Sequence, residues 1–385
     1  GGKNSDTLTV AHSYINTADI LTDGVQTNAV LLFSDASINS STIKGNYPQS
    51  EEIILNNTEI TNCTIYSDAY NKGITLESSN VMTSQFTMGC CGANFHIVES
   101  TIEDSEFSNT GGSNDIVIEE SQLINTPLNL YADSYQAVTI NNSTISYAGS
   151  YGIKCYNLTM DGTSVTGSGT GTAIELSGNS NTITTSTISG NDVGIRLNSG
   201  LLTAQNNQIY NNTTYNIDNL SAENITATDN WWGTIDVAEI REKIGDYDDD
   251  INYGSVVFSP LLMSAAGPSN YVPEVSVFVD PLLGLVPLKV TFSASATDFD
   301  GTVSLYEWDF DGDGAYDYSS TTDGNTTHTY NDGDNYVVDL KVTDDQGLAN
   351  RLLYKIAVLD FGIGAAQAMN MVVLEWGWGK YQSII

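Results

Sequence analysis

The chain has 385 residues, and 47 acidic against 12 basic side chains leave a net charge of −35. That field repels phosphate backbones and anionic lipid, which excludes nucleic acid as a partner, while clustered carboxylates favour hard divalent cations. Hydrophobic residues make up 40%, too many for a disordered chain and enough for two or three folded domains.

The chain opens on Gly1 rather than Met, which reads as a processed N-terminus. Up to residue 232 it repeats. Two apolar residues five apart bracket a short polar turn at Val10/Ile15, Phe33/Ile38, Leu55/Ile60, Leu76/Val81, Ile97/Ile102 and Ile118/Leu123. The pattern continues at Ile140/Ile145, Met160/Val165, Ile183/Ile188, Ala204/Ile209 and Ala227/Trp232, in steps of 20 to 23 residues. A second apolar column, Ile153, Ile174, Ile195 and Ile217, follows about eight residues behind. The period is too short for paired helices, and local alternation with many β-branched residues points to strands. Three short strands and three turns per repeat make one coil of a parallel β-helix. About eleven coils are expected over residues 1–234, stacked into a solenoid roughly 50 Å long. A hairpin-built sandwich would need irregular spacing instead.

Within this region the chemistry is sparse. Cys63, Cys90, Cys91 and Cys155 show no C-x-x-C spacing, and only three histidines occur, so zinc is not expected. Buried thiols or one bridge fit these cysteines. Asn-x-Ser/Thr sequons stand at Asn39, Asn56, Asn62, Asn141, Asn142, Asn157, Asn211, Asn212, Asn219, Asn224 and Asn325, candidates for glycosylation. Lys154, Glu175 and Arg196 lie one coil apart and are expected to form an ion-pair column. No pair of acids recurs beside them, so the lyase or glycosidase arrangement of clustered carboxylates is not expected. Tyr131, Tyr135, Tyr147 and Tyr151 are candidate sugar-stacking residues on loops.

Asn230-Trp231-Trp232-Gly233-Thr234 then interrupts the repeat. A short helix over 237–244 and a final strand over 253–261 are expected to follow, forming a cap over 235–264, with the acidic cluster Asp246, Asp248, Asp249 and Asp250 simply solvated. This order of closure resembles that of right-handed β-helix proteins of archaeal and bacterial surfaces, relatives of the pectate-lyase-like β-helices. The resemblance implies right-handed coiling and an extracellular setting, and it covers a superfamily that holds enzymes, adhesins and structural proteins alike.

Residues 265–270 are a small-residue linker. Residues 271–359 alternate as an antiparallel sandwich. Tyr306-Glu307-Trp308-Asp309-Phe310-Asp311-Gly312, His328-Thr329-Tyr330 and Val342-Thr343-Asp344-Asp345-Gln346-Gly347 are similar, in that order, to the signatures of the PKD domain, an immunoglobulin-like extracellular fold. The resemblance implies that Trp308 is a core residue.

Asp309, Asp311, Asp313, the Ala315 carbonyl and Asp317 also have the alternate spacing of a calcium loop, with Gly314 for the sharp turn and no terminal Glu. Ca2+ is therefore the expected cofactor, with Asp298 and Asp300 as further ligands or a second site. The apolar tail, 360–385, contains Met371, Val372, Val373, Leu374, Trp376 and Trp378. Its polar residues make it a poor membrane span. It is expected either to pack on its own module or to add a strand to a neighbouring subunit. Taken together, the sequence predicts a non-enzymatic surface protein that self-associates into a homopolymer such as a filament, sheath or layer. The alternatives are a glycan-binding adhesin and a polysaccharide lyase or hydrolase.

Overall fold

A computed structural model describes residues 7–22, 30–45, 52–67, 73–88, 94–109, 115–130 and 137–360. Cys90, Cys91, Tyr131, Tyr135 and the apolar tail with its candidate assembly strand lie outside them. The chain divides into two compact units, Gly1–Gly233 with Lys243–Phe258, and Thr234–Glu242 with Ser259 onward.

The first unit is a solenoid of three wholly parallel sheets with 12, 10 and 11 strands. Each coil gives one strand to each sheet. In the first sheet Val10 stacks on Phe33, Leu55, Leu76, Ile97, Ile118, Ile140, Met160, Ile183 and Ala204. The second column, Ile153 over Ile174, Ile195 and Ile217, stacks in the third sheet. Past the first coil these side chains are essentially inaccessible. One coil alone could bury none of them, so stacking supplies the apolar driving force. All three sheets are complete over ten coils rather than eleven. The last apolar pair, Ala227/Trp232, falls where the first-sheet strand shrinks to Ile225–Thr226 and the second-sheet strand to a single bridge, Gln208 to Trp231.

The corner between the first and second sheets is always two residues long. Its first residue is left-handed: His12, Asp35, Asn57, Ser78, Glu99, Glu120, Asn142, Gly162, Thr185 and Asn206 all have φ between 46° and 59°. That conformation costs a non-glycine residue about 1 kcal/mol or more. It is offset because the same N–H donates to the next coil, as Asn57 does to the Glu77 carbonyl at 3.0 Å. The second corner residue points inward and builds a ladder. The Thr58 N–H donates to Ser79 Oγ, Ser79 to Ser100, Ser100 to Ser121 and Ser121 to Ser143, at 3.0 to 3.1 Å. The ladder then passes through Thr163, Ser186 and Asn207 to Asn230. These hydroxyls and amides are almost fully buried and hydrogen-bonded, as buried polar groups must be.

Asn230 ends this ladder. Its amide oxygen accepts from Asn207 N, and its nitrogen donates to the Ala204 and Ala227 carbonyls at 2.7 and 2.6 Å. Trp232 is buried and meets Phe258 edge to face. Gly233 has φ of 87°, and a Cβ there would sit 2.9 Å from Tyr210 Cβ. The expected final strand is broken: Val256–Val257 joins the first sheet, whereas Leu261–Leu262 pairs antiparallel with Ser269–Asn270. Pro260 between them has no N–H to continue the ladder. The helix is shorter than expected, Val237–Glu242, and it groups with the sandwich, where it contacts the last strand. Asp246 is a buried loop organiser, not a solvated acid: its oxygens accept from Asp248 N and Val256 N.

The second unit is the expected sandwich. Its smaller sheet holds Glu274–Asp280, Leu288–Thr297 and Thr326–Tyr330. The larger holds Leu283–Leu285, Ala349–Leu359, Asn335–Asp344, Val303–Asp309 and Tyr318–Ser320. Between them lie Phe292, Trp308, Phe310, Val338 and Leu340. Trp308 is fully buried and its indole N–H donates to the Gly324 carbonyl at 2.9 Å, which places it in the core.

Candidate cation sites and the solenoid flank

On the outer face of the third sheet the register places Lys154, Glu175, Arg196 and Asp218 in one column. Lys154 Nζ lies 2.9 Å from Glu175, and Arg196 Nε 2.7 Å from Asp218. Asn198 donates to the Glu175 carboxylate at 3.0 Å. Opposite charges alternate at one-coil spacing, so the acids of this face neutralise and position the cations. The sequence found the first three members and missed Asp218. Tyr147, expected on a loop, is instead buried, its hydroxyl donating to Asn191 and the Gly171 carbonyl. Burial pushes its phenol well above the ordinary value. Tyr151 is half-buried within a strand.

The sequons sort by exposure. Asn62, Asn142, Asn211, Asn224 and Asn325 are exposed, and Asn39, Asn56, Asn141 and Asn157 are intermediate. Asn212 and Asn219 are buried with their amides bonded, Asn212 to Ile188 and Asn216, Asn219 to Glu223 and Gly254.

The loop after strand Val303–Asp309 gathers carboxylate oxygens of Asp309, Asp311 and Asp317 within 4.8 Å of one another. Asp313 does not join them; its oxygen accepts from Ala315 N. Much of the capacity of this loop is spent on its own backbone. Asp309 accepts from the N–H groups of Asp311, Gly312 and Gly314, and Asp317 from that of Phe310. Left-handed Gly312 and Gly314 allow these close turns.

A second group is less satisfied. Asp298 ends up with both carboxylate oxygens buried and without a hydrogen-bond partner. Burial, then the charges of Asp300 and Asp344, raise its pKa above the ordinary 3.8. A Cβ on Gly301 would lie 2.6 Å from Asp298 Oδ2 and 2.3 Å from Asp345 Oδ1, so both carboxylates flank this glycine, and Asp345 Oδ1 also accepts from Thr302 N at 2.8 Å. Asn270 is fully buried. Its nitrogen donates to Asp344 Oδ2 at 2.8 Å, which leaves its Oδ1 as a buried acceptor without a donor. Asp300 accepts from Tyr271 N, and Asp344 Oδ1 from Gln346 N and Leu348 N. Three orphaned oxygens among like charges are costly in a low dielectric. An oxygen-seeking cation would convert that cost into coordination, and the carboxylate–amide donor set fits Ca2+. Asn270, Asp298, Asp300 and Asp345 are the residues that would hold one. The sequence singled out Asp298 and Asp300 and missed Asn270 and Asp345, which join them only through the fold.

Residues 128–234 match the family model of the right handed beta helix region, and residues 283–358 that of the PKD domain. Among solved structures, the PKD1 domain of Vibrio anguillarum Epp is 28% identical over 23% of this chain and 95% of that one, with a TM-score of 0.19. The PKD1 domain of the Vibrio cholerae metalloprotease PrtV is 29% identical over 23% and 94%, with a TM-score of 0.18. A structure described for carbohydrate-binding modules of the β-sandwich superfamily is 35% identical over 24% of this chain, with a TM-score of 0.22, and this chain covers 36% of it. The chain thus joins a right-handed parallel β-helix to a PKD domain.

Proposed function

We propose that this is an extracellular, non-catalytic surface protein with a structural or adhesive role, in which the β-helix is a stiff spacer and the PKD domain binds calcium. The observation that carries this reading is the flank of the solenoid. The cations a lyase would use as a base are committed to neighbouring acids in the column Lys154–Glu175 and Arg196–Asp218. A β-helix joined to a PKD domain suits display at a cell surface. Among the described residues no helix is long and apolar enough to cross a membrane. The strongly acidic surface favours Ca2+ as cofactor and opposes nucleic-acid partners. Copies of the chain self-associate through the apolar tail into a filament, sheath or layer. Electron microscopy of the purified full chain with and without calcium tests this. Ordered polymers are expected, and a protein that stays monomeric at high concentration in calcium rules the polymer out. Release of unsaturated or reducing sugar from polysaccharide would overturn the non-catalytic reading.

A further inference from the structure

The loop carrying Asp298 and Asp300 holds a residue that its cation chemistry does not need. Phe299, between them, is 81% exposed, the most exposed large hydrophobic side chain among the described residues. It is not loose in solvent: its ring lies 4.7 Å from that of Tyr271, tilted by 47°. Tyr271 follows Asn270 and hands its N–H to Asp300. The aromatic pair and the orphaned oxygens therefore share one loop and one adjoining segment.

We propose that this corner of the PKD domain is a calcium-dependent binding site for neutral saccharides. The inference rests on the reading of Asn270, Asp298, Asp300 and Asp345 as cation ligands. Ca2+ takes six to eight oxygens, and this group supplies fewer: the Asp344 oxygens are occupied by Asn270, Gln346 and Leu348, and one oxygen each of Asp300 and Asp345 already accepts from a backbone N–H, of Tyr271 and Thr302. The remaining positions are open to oxygens from outside. Two vicinal hydroxyls of a sugar ring fit adjacent positions on such an ion. The other face of the same ring is a surface of C–H groups, which packs on an exposed aromatic. A ligand with hydroxyl edges and an apolar face matches a carboxylate-held cation beside Phe299 and Tyr271. Anionic lipid is the poorer occupant. The neighbours of Phe299 on the loop are carboxylates, and the chain carries −35.

The full chain is passed over immobilised mannan, galactan and dextran in calcium or in chelator, while its melting temperature is recorded in both. The expected result is retention on at least one polymer in calcium, release by chelator, and a loss of affinity of tenfold or more in Phe299→Ala. In that variant the calcium-induced rise in melting temperature is unchanged, which separates lost stacking from a damaged fold. Retention with Phe299→Ala as tight as the parent, or a calcium response with no polymer retained, overturns the proposal and leaves the cation site standing. Binding to phosphatidylserine vesicles in place of the polymers overturns it in favour of a lipid headgroup. No rise in melting temperature with calcium removes the cation reading and the saccharide site together.

Discussion

Asp298→Asn has two consequences of opposite sign. Without a cation, the folded domain holds a buried carboxylate that burial and the charges of Asp300 and Asp344 disfavour. Its folded pKa is raised above 3.8. The stability linked to this group is therefore fully present below that value and is lost as pH rises through the raised one. At pH 7 in chelator the neutral amide should match or exceed the parent in stability. With calcium the order reverses. Extracellular modules bind Ca2+ at about 10⁻⁴–10⁻³ M, so 10 mM calcium stabilises the parent by about 1.4–2.7 kcal/mol. For a module of this size each kcal/mol is about 4–8 °C, a rise of roughly 6–22 °C that Asp298→Asn loses. Calorimetry of the full chain, with the sandwich transition assigned by hydrogen exchange in the Trp308 strand, reads both arms. A variant that is less stable in chelator and still gains the full calcium increment refutes the reasoning.

Other outcomes follow from the solenoid. Ser100→Ala removes the acceptor of the buried Ser79 N–H, an expected loss of about 1–3 kcal/mol; hydrogen exchange should quicken at Ser79 and its neighbouring coils, and unchanged protection would show the ladder to be idle. Asn212 and Asn219 should remain unmodified while exposed sequons such as Asn62, Asn142 and Asn325 are available, which peptide mapping by mass spectrometry decides; glycan on either buried residue in native protein would contradict the packing. Cys155 is fully buried and its thiol is pushed up to about 12. A thiol reagent at pH 8 should leave it unlabelled until denaturant is added, and rapid native labelling would mean that the coil opens.

The solenoid was legible because its main determinant is one-dimensional. Columns such as Phe33, Leu55 and Leu76 are apolar at a fixed interval, and the interval alone forces stacking. The count of coils was harder, since Ala227 and Trp232 keep the apolar pattern while strand pairing there shrinks to two residues in the first sheet and a single bridge in the second. The inward serines were readable in principle. Thr58, Ser79, Ser100, Ser121 and Ser143 recur with the same interval, but a hydroxyl between polar neighbours looks like any turn residue until its burial is known. Tyr147 misled for a similar reason, because aromatic residues near glycines suggest an exposed loop, and its partner Asn191 lies 44 residues away. In the sandwich, the D-x-D-x-D spacing at Asp309 marked a loop that brings Asp309, Asp311 and Asp317 oxygens within 4.8 Å of one another and also caps its own backbone. The unsatisfied oxygens sit where Asn270 and the Asp344-Asp345 pair meet Asp298, 74 residues separating Asn270 from Asp344. No local spacing announces such a meeting.

The two-residue corner has a consequence for how this chain can change. Because its left-handed residue and its inward hydroxyl each have a fixed task, an insertion there would move a hydroxyl out of line with both neighbours and interrupt the bonds on either side of it. Over the first five coils the second corner is just as short, and the extra residues of each coil fall between its third strand and the first strand of the next. Length variation in those coils can therefore accumulate along one seam of the prism, whereas from the sixth coil on the second corner also lengthens, to three to five residues, and only the first corner stays closed to it.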